Sequence, residues 1–170
     1  EFNKVFASGH RLILMTTHRR ENLGEPMRHV YRALKSVLEA HPDVEAIFPV
    51  HKNPKVREIV REELGHLDRV HLIEPMEYEP FANLMAKVDI VLTDSGGIQE
   101  EAPALGKPVL VLRDTTERPE AVEAGTVKLV GTAYDDVLRE TNLLLDDAEH
   151  YRSVAEAANP YGDGKACERI

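Results

Sequence analysis

Apolar runs and amphipathic segments alternate along the chain. Six short apolar runs, typical of buried strands, cover residues 12–15, 46–50, 70–73, 89–93, 108–112 and 127–130. Between them, apolar residues recur at helical spacing, as Val30, Leu34 and Val37 do after the first run. Strands that alternate with helices pair in parallel through right-handed crossovers. The pattern therefore predicts an α/β fold with one six-stranded parallel sheet between two helical layers.

The order of these elements fits a three-layer Rossmann-like domain with strand order 3-2-1-4-5-6, filling residues 1–170 as a single domain. In that order the first and fourth strands are neighbours, and the winding of the sheet reverses between them. Ligands of such sheets bind beyond the carboxyl ends of the strands at this switch point. The loops after Thr17 and Thr93 are therefore where the sequence predicts a site.

Charge and cysteine content narrow the classes of protein. The net charge of -9 argues against nucleic acid as a partner, because a phosphate-backbone binder needs a basic face. It permits one small phosphorylated ligand held by a few arginines and backbone amides. The single cysteine, Cys167, rules out a disulfide within the chain and favours a cytoplasmic setting.

No apolar run is long enough for a membrane span, so no membrane association is predicted. Because the chain begins with Glu1 rather than Met, we expect it to be a piece of a longer protein.

The loop after Thr93 reads Asp94-Ser95-Gly96-Gly97 and leads into a helix. Two glycines let the backbone approach a ligand closely. The amides of Ser95, Gly96 and Gly97 are expected to be free donors at the helix start, where they suit a diphosphate. The structural alternative is that Ser95 caps the helix and the glycines form a tight turn. Position at the switch point favours phosphate binding. Glu101 lies one turn into the helix. Its carboxylate could accept hydrogen bonds from ribose hydroxyls or complement the helix dipole, and its residue type alone does not distinguish these two roles.

The loop after Thr17 begins His18-Arg19-Arg20-Glu21. Dense polar chemistry directly after an apolar strand indicates a ligand, and position favours a functional role for His18, as a donor to phosphate or a proton carrier. For Arg20 the structural alternative is favoured, a solvated side chain paired with Glu21 or Glu25.

Three further residues stand at the same predicted edge. Arg118 opens a helix beside Pro119, where a basic residue opposes the helix dipole and indicates a ligand or a carboxylate nearby; the alternative is a surface pair with Glu117 or Glu120. Phe81 starts an amphipathic segment and by residue type alone is predicted to be core. His51 follows the second strand. The sequence has no metal-ligand spacing, no dinucleotide fingerprint and no Walker A motif, so no metal, NAD or ATP hydrolysis is predicted.

Two segments go beyond generic patterns: His18-Arg19-Arg20-Glu21-Asn22 and the stretch from Asp94 to Ala102. They resemble the signature stretches of the non-hydrolysing UDP-N-acetylglucosamine 2-epimerases. The resemblance continues in register through Gly106–Leu110, Arg113–Pro119, Gly125–Val127 and Asn159–Gly164. It implies the C-terminal half of a two-domain GT-B enzyme, with residues 159–170 as a tail that crosses back to an N-terminal domain.

The resemblance also assigns residues. Ser95, Gly96 and Gly97 match the family's diphosphate-binding turn, Glu101 its ribose-binding carboxylate, and Arg118 a nucleotide-site arginine.

On the remaining positions, Phe81 matches a residue beside the uracil, which revises the core-only interpretation, and His18 matches an active-site histidine near the UDP leaving group. Arg19 and His51 are candidates for a second, regulatory site near the domain interface.

For the whole protein the resemblance implies interconversion of UDP-GlcNAc and UDP-ManNAc by elimination and re-addition of UDP, with no cofactor, for bacterial polysaccharide precursors. We expect a homodimer at full length, and no turnover by this chain alone, because the family's acidic catalytic residues lie in the N-terminal half. Two alternatives stay open: the C-terminal half of a GT-B UDP-sugar glycosyltransferase, and a non-catalytic UDP-sugar sensor.

Overall fold

A computed structural model describes residues 2–169 of the chain. Within these residues six strands form one sheet, in which every neighbouring pair is parallel and the order is β3-β2-β1-β4-β5-β6. The strands are β1 (Arg11–Thr16), β2 (Val44–Pro49), β3 (Val70–Ile73), β4 (Ile90–Thr93), β5 (Val109–Val111) and β6 (Val127–Leu129). The predicted α/β class and strand order are confirmed.

The α-helices of the described residues are α1 (Phe2–Ala7), α2 (Glu25–Ala40), α3 (Pro54–Leu64), α4 (Tyr78–Lys87), α5 (Ile98–Ala104), α6 (Pro119–Ala124), α7 (Tyr134–Asp146), α8 (Ala148–Ala155) and α9 (Ala166–Arg169). A 3₁₀ turn covers Arg20–Asn22. None of the helices described here combines the length and the apolar composition that crossing a bilayer requires. Of the predicted tail, residues 159–169 are described and Ile170 lies outside the described residues, as does Glu1.

Local signals explain where several helices begin and end. The side chain of Asn53 accepts a hydrogen bond from the amide of Lys55 at 3.0 Å, and Pro54 occupies the first helical position of α3. Gly125 ends α6 with φ of 78°, a left-handed conformation that a residue without Cβ adopts at little cost.

Alternate residues of the central strands pack against two different helical layers. Ile13 and Met15 of β1 lie in one hydrophobic cluster with α2, α3 and α7, whereas Leu12 and Leu14 lie in the other with α1, α4, α5 and α6. This alternation follows from the two-residue period of a strand, and continuous apolar runs are required where both faces are covered. Full burial of one such side chain contributes roughly 1.5–3 kcal/mol.

The register of β1 and β4 determines which loops meet. Thr16 pairs with Thr93 at the carboxyl ends of the two strands, and their hydroxyl oxygens are 2.6 Å apart. The chain segments that follow these two threonines therefore leave the sheet side by side.

Candidate functional site

The side chain of Asp94 joins the two loops at the switch point. It is fully buried, at 0% exposure, directly after β4. Its carboxylate accepts hydrogen bonds from the backbone N–H groups of His18, at 3.0 and 3.1 Å to its two oxygens, and of Arg19 at 3.0 Å. The ring Nδ1 of His18 lies 3.0 Å from Asp94 Oδ1, and Asn22 Nδ2 lies 3.4 Å from Oδ2. His18 and the turn that begins at Ser95 are thus brought together.

These contacts determine the protonation state of the Asp94 carboxyl group. Burial by itself would raise the pKa of this carboxyl, but the hydrogen bonds from the ring of His18 and from the amides of Arg19 and His18 outweigh it and lower the pKa below its usual value. The site therefore holds a buried, ionised carboxylate beneath the loop that carries His18.

The turn at residues 95–97 offers two free amides rather than three. The amide of Ser95 donates to Thr93 Oγ1 at 3.0 Å, so the expectation that it is free is wrong. In residues 2–169 no hydrogen bond joins the amide of Gly96 or Gly97 to another residue. Ser95 does not cap α5 either, since the capping position is Gly97 and no side chain bonds there. Its hydroxyl remains available to a ligand.

Charged side chains border the turn on both sides. A Cβ built on Gly97 would lie 3.7 Å from Glu101 Oε1, and one on Gly96 would lie 3.8 Å from Glu117 Oε2 and 4.0 Å from Arg19 Nη2. The surface over Gly96 and Gly97, here called the groove, is therefore bordered by the carboxylates of Glu101 and Glu117 and by the guanidinium of Arg19.

The side chain of Glu101 is partly buried and forms no hydrogen bond or ion pair with any other described residue. Burial and, to a smaller extent, the neighbouring Glu100 raise its pKa. A carboxyl placed in this way has acceptor oxygens that nothing in residues 2–169 satisfies, which suits it to the hydroxyl groups of a ligand.

Arg118 occupies the residue before α6, as the sequence indicates, but its partner differs from those expected. It forms an ion pair with Glu100 of α5 rather than with the carboxylate of Glu117 or Glu120, although its Nη1 also donates to the carbonyl of Glu117 at 3.2 Å. The hydrogen bond that Arg118 Nε donates to the carboxylate of Glu100 raises the pKa of Arg118. The guanidinium is thus held against the helix that follows the glycine turn.

Gln99 and Thr116 connect that turn to the Arg118 loop. Gln99 is fully buried, donates to the carbonyl of Ser95 at 3.2 Å and accepts from Thr116 Oγ1 at 2.5 Å. Thr116 Oγ1 in turn accepts from the amide of Arg118 at 3.0 Å. These three hydrogen bonds in series fix the distance between the turn at residues 95–97 and the backbone of Arg118.

The ion pairs of the first loop also differ from expectation. Glu21 pairs with Arg113 at 3.1 Å, so it is not the partner of Arg20. The carboxylate of Glu25 lies near side chains of its own helix α2, 3.6 Å from His29 Nε2 and 3.9 Å from Arg28 Nε. Arg19 donates from Nε to the carbonyl of Asp94 at 3.2 Å and reaches Glu117 at 3.4 Å.

Arg20 itself is exposed and takes part in no ion pair among residues 2–169. The prediction that it is solvated agrees with this, and the predicted pairing is wrong.

His51 and Phe81 take different places. The ring of His51 is exposed and stacks on that of His18, with centroids 6.0 Å apart and planes inclined by 25°. Phe81 lies in the first turn of α4, partly buried against the cluster of α1, α4, α5 and α6. It is a core residue with an exposed portion, as residue type predicted.

Several site residues escaped the sequence reasoning. Asp94, Gln99 and Arg113 are polar side chains that the structure buries and bonds across loops. Asp94 opens the glycine-rich motif, and this was the available signal, but no sequence spacing shows that it faces the His18 loop. Arg113 follows β5, and with 9% of its side chain exposed it ties Glu21 to Glu117.

The fold and the position of these residues define a Rossmann-like domain with a candidate ligand site at its topological switch point. Residues 2–170 match the family model of UDP-N-acetylglucosamine 2-epimerase, and the chain belongs to this family. It is 55% identical over 160 residues to the UDP-N-acetylglucosamine 2-epimerase of Bacillus subtilis, an alignment that covers 94% of this chain and 42% of the relative.

Solved structures of relatives have the same fold as this chain. Staphylococcus aureus MnaA, solved as a co-structure with UDP, is similar at 50% identity and TM-score 0.93, over 98% of this chain and 46% of the other. The UDP-GlcNAc 2-epimerase of Neisseria meningitidis, solved with bound UDP-GlcNAc, is similar at 50% identity and TM-score 0.90, over 95% and 43%. The chain thus spans less than half the length of these relatives.

Proposed function

We propose that this chain is the UDP-binding, C-terminal half of a UDP-N-acetylglucosamine 2-epimerase that interconverts UDP-GlcNAc and UDP-ManNAc for bacterial polysaccharide precursors. Family membership supports the reaction, and relatives solved with UDP and with UDP-GlcNAc support the ligand. The observation that carries the proposal is the groove over residues 95–97, where two unpaired amides lie between Glu101 and Arg19.

The groove suggests how UDP lies. The amides of Gly96 and Gly97 and the hydroxyl of Ser95 donate to the diphosphate, where peptide N–H groups serve as well as side chains and add no charge. Glu101 is 3.7 Å from the Cβ position of Gly97, so the ribose that follows the diphosphate lies within its reach. The uracil then extends towards α4, where the exposed part of Phe81 provides an apolar contact.

Two further side chains complete the proposed site. Arg118 neutralises diphosphate charge once the ligand competes with Glu100 for its guanidinium. His18 lies at the far side of the turn, against Asp94, where it stabilises UDP as the bond between the sugar and the phosphate oxygen breaks. Arg19 and His51, which border His18, are the candidates for a second ligand site at the domain interface.

The chain by itself is proposed to bind UDP without catalysing epimerisation. Elimination requires removal of the proton at C2 of the sugar, and a general base must lie within hydrogen-bond reach of that proton. The family's acidic residues for this step are proposed to lie in the N-terminal domain, to which residues 159–170 return. The whole protein is proposed to be a cytoplasmic homodimer.

Calorimetric titration of UDP into the 170-residue chain tests the placement of the nucleotide. Glu101→Ala is expected to weaken UDP binding about 10- to 100-fold, since hydrogen bonds to a charged group contribute about 1.5–3 kcal/mol. Ser95→Trp is expected to abolish binding by filling the groove. Glu149→Ala is the matched control, because Glu149 is exposed on α8, whose Tyr151 contacts Asp89 at the opposite end of β4. Unchanged UDP affinity in both site variants would refute the proposal.

An assay of products separates the epimerase from its alternatives. The chain joined to the N-terminal domain of the B. subtilis relative is incubated with UDP-GlcNAc, with and without a sugar acceptor. Formation of UDP-ManNAc without acceptor is the expected result. Transfer to the acceptor would indicate a glycosyltransferase, free sugar a hydrolysing enzyme, and tight binding without turnover a sensor.

A further inference from the structure

The two ring nitrogens of His18 differ in their contacts. Nδ1 lies 3.0 Å from the buried Oδ1 of Asp94. Nε2 has no hydrogen bond to any other residue in the described range 2–169, and 41% of the side chain is exposed. The only ring near it there is His51, stacked at 6.0 Å between centroids. The two nitrogens of the imidazole therefore face different environments.

The carboxylate that contacts Nδ1 cannot shift. The amides of His18 and Arg19 hold both of its oxygens, and Asn22 Nδ2, at 3.4 Å from it, is itself bonded to the carbonyl of Leu112 at 3.0 Å. An ionised carboxylate only accepts hydrogen bonds, so the ring nitrogen opposite it must carry a proton. A fixed acceptor of this kind selects the tautomer of a neutral histidine and stabilises the imidazolium.

We propose that Asp94 is a positioning residue for His18: it holds the neutral ring in the Nδ1–H tautomer, aims Nε2 at the ligand groove and stabilises the protonated ring. This rests on the proposed function, which supplies the ligand. When the bond between the sugar carbon and the phosphate oxygen breaks, its electron pair remains on that oxygen. The exposed Nε2 takes up a proton from solvent to give the imidazolium, whose Nε2–H donates a hydrogen bond to that oxygen, and no covalent bond to His18 forms.

A purely structural role for Asp94 makes a different prediction. If the carboxylate only anchored the backbone of the loop, an amide oxygen could replace it, and the ring would be free to take either tautomer. Asp94→Asn separates the two roles, since its oxygen still accepts from backbone amides while its NH₂ can face Nδ1 only when that nitrogen is unprotonated. A matched control is Asp89→Asn at the other end of β4, where the carboxylate accepts from the amide of Leu12 at 2.7 Å.

The test is the tautomer of His18 in the 170-residue chain, read from long-range ¹H–¹⁵N spectra of ¹⁵N-histidine-labelled protein and assigned through the loss of signals in His18→Gln. The expected result is a neutral ring protonated at Nδ1 in the unaltered chain and in Asp89→Asn, and at Nε2 in Asp94→Asn. An Nε2–H ring in the unaltered chain would overturn the proposal. That spectrum also decides the matter if Asp94→Asn fails to fold.

Turnover gives a second readout in the two-domain enzyme. Asp94→Asn is expected to lower kcat by about 10²- to 10⁴-fold, while KM changes by less than about 3-fold. An amide opposite Nδ1 cannot stabilise the imidazolium, so the charged donor that acts only as UDP departs is lost. A rise in KM as large as the fall in kcat would indicate a structural role only and contradict the proposal. If UDP fails to bind the unaltered chain, the proposed function fails, whereas the tautomer measurement still stands.

Discussion

Two clusters of carboxylate and histidine lie at opposite ends of the sheet. At the carboxyl end, Asp94 holds His18 and the loop that carries it. Towards the amino end, Glu45 of β2 forms ion pairs with His10, which precedes β1, and with His71 of β3; the first is 2.7 Å long. Both carboxylates are buried, and hydrogen bonds lower the pKa of both.

The clusters differ in what the carboxylate holds. Glu45 bonds two side chains, while Asp94 also bonds backbone amides of a loop at the switch point. In an open parallel sheet only the carboxyl edge at the switch point provides a crevice for ligands. The same pair of residue types therefore makes a candidate site at one edge and a structural contact at the other.

The largest expected effect is the loss of stability in Asp94→Ala. The variant leaves the amides of His18 and Arg19 without an acceptor in a buried place, and each such donor costs about 1–3 kcal/mol. We expect the free energy of unfolding, measured by urea denaturation, to fall by about 3 kcal/mol, and UDP binding to be lost. A loss below about 1 kcal/mol would show that water or another group replaces the carboxylate.

Glu45→Ala is expected to cost less and to leave the ligand groove unchanged. The side chains of His10 and His71 are 35% and 29% exposed, so water can satisfy them when the carboxylate is removed. We expect a loss of about 1–2 kcal/mol in urea denaturation. The UDP affinity of this variant should equal that of the unaltered chain. Weaker binding would show that the two ends of the sheet are coupled, and the comparison would fail.

The dependence of the free energy of unfolding on pH tests the role of Glu45 further. Burial opposes ionisation of Glu45, but the hydrogen bonds from His71 and His10 prevail and place its pKa below the ordinary 4.5. Since the unfolded chain then binds more protons, this stabilisation is complete above about pH 4.5 and is lost as the pH falls through the lower, folded pKa. Glu45→Gln should therefore flatten the dependence of unfolding free energy on pH below about pH 4.5. An unchanged slope would contradict this.

The smallest effect is expected for His10→Gln. Glutamine can still donate to Glu45, and the replaced ring is partly exposed, so the free energy of unfolding should change by about 0.5 kcal/mol or less. UDP binding should not change. His18→Gln in the two-domain enzyme is the informative partner variant, because it should lower kcat while leaving stability within the same small range.

Much of the fold could be predicted from the sequence. The run at residues 70–73 coincides with β3, and the other five runs differ from their strands by one or two residues at an end. The contacts within the site could not be predicted. The amide of Ser95 is bonded to Thr93, and Arg118 pairs with Glu100. Both depend on side-chain directions at the end of a strand or the start of a helix, which a pattern of apolar residues does not encode.

The sequence by itself determined the class of fold, the strand order and the two loops that meet at the switch point, because hydrophobic periodicity and the handedness of crossovers leave few arrangements open. Only the tertiary structure decided that Asp94 faces His18, 76 positions earlier in the chain. That contact exists because Thr16 and Thr93 pair in the register of β1 and β4, and a shift of the register by one residue would point the carboxylate to the other face of the sheet.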